Sequence, residues 1–159
     1  MIELTSPSRV VGRIFDGVHT ADLKNGAIVG LDTINADGTY DIKVPATADL
    51  DTESYYMVNT GEYDYTGNEL VSEFTNKAGK PMALFPLVAD VEVKLPADMI
   101  TGTATTGEYL IPADGDTLLN AAADLTGGTK LALVVVDDAT FLRTDGYRED
   151  AVLARVIQG

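Results

Sequence analysis

"DTINADGTYDIKV", residues 32–44, decides between two readings of this chain. It gathers Asn35, Asp37 and Asp41 around Gly38, which suits either an ion-binding loop or a turn between two strands. A calcium loop of the EF-hand kind needs Asp at its first position, oxygen ligands at three and five, Gly at six and a bidentate Glu at twelve. With Gly38 at six, Asn35 and Asp37 fit, but the first position is Thr33 and the twelfth is Val44. The two strongest ligands are missing. Tyr40, Ile42 and Val44 alternate with Thr39, Asp41 and Lys43, the period of a strand with one buried face. Asp-Gly tolerates the positive φ of a tight hairpin. The stretch therefore reads as a hairpin turn joining "AIVGLDTI" to "TYDIKV".

The same grammar extends along the chain. "VEVKL" sets Val91, Val93 and Leu95 against Glu92 and Lys94. "KLALVVV", residues 130–136, is a continuous apolar run whose length and valines fit a strand buried on both faces. "RVVGRIF", "SYYMV", "ELVSEF", "MALFPLV", "GEYLI" and the closing "AVLARVI" are further strand candidates. Asp16-Gly17, Asp37-Gly38, Asp114-Gly115, Asp145-Gly146 and Asn25-Gly26 supply turns. Frequent turns between β-rich runs predict an all-β sandwich or barrel of short antiparallel strands. At most one short helix is expected, "DTLLNAAADL" at 116–125, with Asp116 as its cap and Gly127-Gly128 as its stop. Residues 1–20 read as an extended N-terminal arm and 21–159 as the β-domain. Either one barrel or two subdomains fits, the split falling near 95–105 where the chain turns Thr/Gly-rich.

Composition narrows the function. At 159 residues and 45% hydrophobic content the chain has enough material for a real core. It has no cysteine, so disulfides, thiolate chemistry and cysteine-ligated metals are excluded. No apolar run approaches membrane-spanning length, and the N-terminus lacks a secretory pattern, so the expectation is a protein made in the cytoplasm. The net charge is −14, from 25 acids against 11 bases. Nucleic acid and anionic membranes are poor partners for such a surface. Seven acids and no base lie between Lys43 and Lys77, a solvated face or a face for cations or a basic partner.

Catalytic constellations are missing from the sequence. His19 is the only histidine, and it reads as a surface loop residue after Asp16-Gly17. None of Ser6, Ser8, Ser54 and Ser72 sits in a G-x-S-x-G elbow. Gly26-x-x-x-Gly30 has no following Lys-Ser/Thr, and no other phosphate-cradling loop is present. Carboxylate pairs suited to glycoside hydrolysis arise by chance among so many acids, and no tryptophan is available to stack a sugar. The chain is expected not to be an enzyme and to need no cofactor or metal. Its most distinctive aromatic stretch is "ESYYMVNTGEYDYTGN", where Tyr55, Tyr56, Tyr63 and Tyr65 are either half-buried strand residues or a subunit interface or ligand face.

Four stretches, taken together, resemble the capsid decoration proteins of tailed bacteriophages. "DLKNGAIVGLD" (22–32) is similar to the segment that opens their folded part after a short arm. "GEYLIPADGDTLL" (107–119), "GGTKLALVVVDD" (127–138) and "AVLARVIQ" (151–158) resemble their second half, where an apolar strand, an acidic turn and a last strand follow one another. Residues 1–20 and the tyrosine-rich block have no counterpart in that pattern. The resemblance implies a small acidic all-β virion protein on the outer surface of the head, often a homotrimer, with the major capsid protein as its partner. On that reading Arg9 and Arg13 of the arm are candidates for contact with an acidic shell. The alternative is a β-sandwich glycan- or receptor-binding module of the head-fibre type, with the tyrosines lining its groove.

Overall fold

The computed structural model describes residues 3–4, 14–60, 74–126, 128–142 and 148–159. The fold is all-β, and its helical content among the described residues is two single 3-10 turns, Thr47–Asp49 and Ala97–Met99. The strands are β1 (Glu3–Leu4), β2 (Phe15–Val18), β3 (Leu23–Lys24), β4 (Ile28–Ile34), β5 (Tyr40–Lys43), β6 (Tyr55–Val58), β7 (Thr75–Asn76), β8 (Met82–Pro86), β9 (Glu92–Pro96), β10 (Ile100–Thr101), β11 (Tyr109–Pro112), β12 (Leu119–Ala122), β13 (Ala132–Leu142) and β14 (Arg148–Gln158).

Strands β2, β5, β4, β6 and β8, in that order, close a five-stranded barrel. A seven-stranded sheet runs β1-β9-β14-β13-β11-β12-β10, and β3 pairs with β7 as a separate ribbon. Most pairs are antiparallel, as expected, but β2–β5 and β10–β12 are parallel. Of the expected arm, Glu3–Leu4 is a sheet-edge strand on β9 and Phe15–Val18 is a wall of the barrel.

The predicted hairpin is present. Gly38 has φ +89°, and the Asn35 N–H donates to the Thr39 carbonyl at 2.8 Å to close the turn between β4 and β5. Asn25-Gly26 and Asp114-Gly115 also turn, with φ of 96° and 69° at their glycines. Asp16-Gly17 does not: it lies inside β2. The expected helix at 116–125 is corrected too. Leu119–Ala122 is a strand held on both sides, by β11 and by β10. The Asp116 carboxylate does cap the local chain, accepting from the Leu118 N–H at 3.2 Å, but it closes a turn into that strand. Two hydrogen-bonding neighbours outweigh the helix preference of an Ala-rich run.

Period-two alternation sorts the barrel's side chains between two cores. Along β4, Val29 and Leu31 face the barrel interior with Ile42, Val58, Met82 and Leu84, while Ile28 faces outward. Along β6, Tyr55 and Met57 also face outward. These outward residues join Val93, Leu95, Leu110, Leu133, Val152 and Val156 of the large sheet in the principal core. Barrel and sheet therefore share one interior. The chain passes between them over residues 87–91, ahead of the Thr/Gly-rich stretch, and Leu87 and Val91 are buried there. The Ile28 N–H donates to the Thr117 carbonyl and the Lys130 N–H to the Leu50 carbonyl, tying the two parts through backbone. Ala132, Leu133 and Val135 of β13 are buried, whereas Val134 and Val136 are only half-buried, so the expectation of two buried faces holds only at the start of the strand.

Candidate functional site

The longest ladder belongs to β13 and β14, paired from Ala132↔Gln158 to Leu142↔Arg148. Their neighbours are shorter. β9 covers β14 only from Ala151 to Arg155, and β11 covers β13 only at Leu133 and Val134. Residues 137–142 and 148–150 therefore form a two-stranded ribbon that outreaches the sheet, among the described residues. A register shift between Val135 and Asp137 marks its start and bends it. One side of the ribbon packs Phe141, whose ring carries the Lys94 ammonium 4.7 Å from its centre. The other side carries Asp138, Thr140 and Asp150 over a groove of about 490 Å³. The opposite wall comes from residues 97–104, which hold β10 and the chain on either side of it.

A second polar cluster sits where β5 meets the 47–54 loop. The Lys43 ammonium lies 3.1 Å from Glu53 and 3.3 Å from Asp49. Hydrogen bonds to those two carboxylates, Glu53 first, raise the Lys43 pKa. The other Glu53 oxygen is buried with no hydrogen-bond partner among the described residues, and so is the Tyr55 hydroxyl. Burial, with the nearby Glu53 and Asp49 charges, pushes Tyr55 up to about 12.

Tyr55 and Tyr56 face opposite ways. Tyr55 is 3% exposed in the principal core, while Tyr56 points to the barrel side, half-buried, with its ring edge-on to Phe15 at 5.5 Å. Neighbours in a strand face opposite ways, so a shared exposed face is ruled out for this pair. Tyr63, Tyr65, Arg9 and Arg13 lie outside the described residues.

The oxygens of the 35–41 loop are engaged with the loop itself. Asp37 accepts from the Thr39 N–H at 3.0 Å and hydroxyl at 2.8 Å, which lowers its pKa, and the Asn35 amide donates to Asp41 at 2.9 Å. His19 lies between β2 and β3, not after a turn, and its Nδ1 accepts from the Ala21 N–H at 3.1 Å. No group of three or more His, Cys, Asp or Glu side chains suited to a metal ion occurs among the described residues. No helix among them is long and apolar enough to cross a membrane.

The groove escaped sequence reasoning. The Thr/Gly-rich 97–104 stretch registers only as a possible boundary, because nothing in it reveals that β10 returns to the far edge of the sheet. The doublet Asp137-Asp138 directly after an apolar run was the available signal. No protein-family model matches the chain, and no curated protein or solved structure matches it.

Proposed function

We propose that this chain is a capsid decoration protein, a virion component that binds the outer surface of a phage head as a homotrimer and stabilises it by bridging major capsid protein subunits. One observation carries the reading. The four stretches that resemble decoration proteins all contribute to one core: Ile28 from the first, Leu110 and Leu119 from the second, Leu133 and Val135 from the third, Val152, Ala154 and Val156 from the fourth. The resemblance thus follows a connected three-dimensional unit rather than scattered phrases.

The mechanism is mechanical. A closed barrel fused through a shared core to a large sheet is a stiff body, and many weak contacts repeated over a lattice add up through avidity. The ribbon of β13 and β14 extends the reach of that body. Arg9 and Arg13 are assigned contact with an acidic shell. Shells carrying the protein should rupture at higher temperature than bare shells, and R9A/R13A should lower its occupancy. Equal rupture temperatures at full occupancy would refute the stabilising role.

The groove favours a second reading, a glycan- or receptor-binding module, because its volume falls in the range of ligand sites. Its lining among the described residues, of Ala, Ile, Val, Thr, Gly and Asp, holds no aromatic ring on which a sugar could stack. A glycan array with reproducible hits would favour that reading.

A further inference from the structure

We propose that the groove beneath the β13–β14 ribbon is a docking site for an extended, lysine- or arginine-bearing segment of the shell protein. The inference rests on the decoration reading and names the contact that would serve it. The floor is where the principal core reaches the surface. Ile100 and Ala104 are half-buried and pack against that core, and Ala151 and Val152 are 5% and 6% exposed.

The rim is acidic. Asp138 lies opposite Val152, and Asp150 opposite Thr140, so the two carboxylates are diagonal neighbours on one face of the ribbon. Such diagonals are about 7–8 Å apart, close enough for one cation between them to be held by both. Both aspartates are exposed, and neither has an ion-pair partner among the described residues. The site is thus an apolar floor next to two carboxylates that have no ion-pair partner among the described residues. A Lys or Arg side chain has the matching form, with an aliphatic stem to lie on the floor and a charged head to reach the rim.

Two further observations select an extended protein segment. From Val136 onward, the edge of β13 away from β14 has no strand partner among the described residues, so its peptide groups can pair with an added strand. The absence of aromatic rings from the lining among the described residues disfavours sugars, and the acidic rim disfavours nucleic acid and anionic lipid.

The test uses the full-length protein with a defined probe, the capped peptide Val-Lys-Val-Lys-Val, and its Glu-for-Lys counterpart as control. The Lys peptide should shift the NMR signals of Ile100, Ala104 and Val152, and the Glu peptide should not. D138N/D150N should weaken peptide binding at least tenfold at low salt, with an unchanged thermal melt. A104L, which narrows the groove without touching the acids, should weaken it as well. The same variants should lose affinity for shells in parallel. Variants that bind shells as tightly as wild type would overturn the docking proposal and leave the decoration reading standing. Wild-type protein that binds no shell would overturn the decoration reading, and the shell segment as occupant with it. A groove that ignores the Lys peptide, or glycan hits that A104L abolishes, would likewise overturn the proposal.

Discussion

Leu84 occupies the space that a side chain at Gly17 would need. A Cβ built on Gly17 would stand 2.6 Å from Leu84 Cδ1 and 2.8 Å from Ile42 Cγ2, inside the closed barrel. The glycine lets β2 approach β5 and β8 closely enough to close it. G17A should therefore cost about 1–3 kcal/mol, the usual range for overpacking. Urea denaturation checks this, and the costs of G17A and L84A should be less than additive in the double variant, since the two residues touch. A G17A variant as stable as wild type would show that the barrel is loosely packed there.

Gly17 also illustrates which features were legible in advance. Asp16-Gly17 has the same letters as Asp37-Gly38, yet only the second turns. The difference lies in long-range contacts with Leu84 and Ile42, which no local pattern carries. The alternating strands β5 and β9 were legible because one face of each meets a core and the other is polar. β12 was not, because its Ala-rich sequence suits a helix and only pairing with β10 and β11 makes it a strand. Among the candidate sites, the loop at 35–41 could be settled by ligand spacing alone. The groove could not, since its walls are distant in sequence and meet only when the sheet is assembled.

Tyr55→Phe removes a hydroxyl that is buried with no partner among the described residues. Leaving such a group unmade is costly, so the variant should be equal to or slightly more stable than wild type at neutral pH. The pH dependence follows from the sign of the shift. The folded pKa is raised to about 12, against a reference of 10.0, so stability is full below pH 10 and falls as pH rises toward 12. Raising the folded pKa from 10.0 to about 12 corresponds to roughly 2–3 kcal/mol. Wild type should lose about that much between pH 10 and 12, and Y55F should lose less. Parallel alkaline profiles for the two proteins would contradict the buried placement of Tyr55.

Gly38 holds a left-handed φ of 89° with open space around it. G38A should cost about 1 kcal/mol through backbone strain alone. Thermal melts in EDTA and in millimolar calcium should coincide, because Asp37 and Asp41 are hydrogen-bonded within the loop. A calcium-dependent rise in melting temperature, abolished by D37A, would contradict the turn assignment.

Because Ile28 and Met57 of the barrel share a core with Leu133 and Val156 of the sheet, the two parts should unfold together. Leu133 is fully buried, and L133A should cost about 2–5 kcal/mol. Tyrosine fluorescence and far-UV circular dichroism should report a single coincident transition in both wild type and variant. Two separated transitions would show that barrel and sheet are independent units.

Decoration of a capsid is open to test by co-sedimentation of the purified protein with mature capsids lacking it, alongside precursor shells. Saturable binding at a fixed number of copies per capsomer is expected, and a preference for mature shells would assign the site to the expanded lattice. Absence of saturable binding to either form would contradict it.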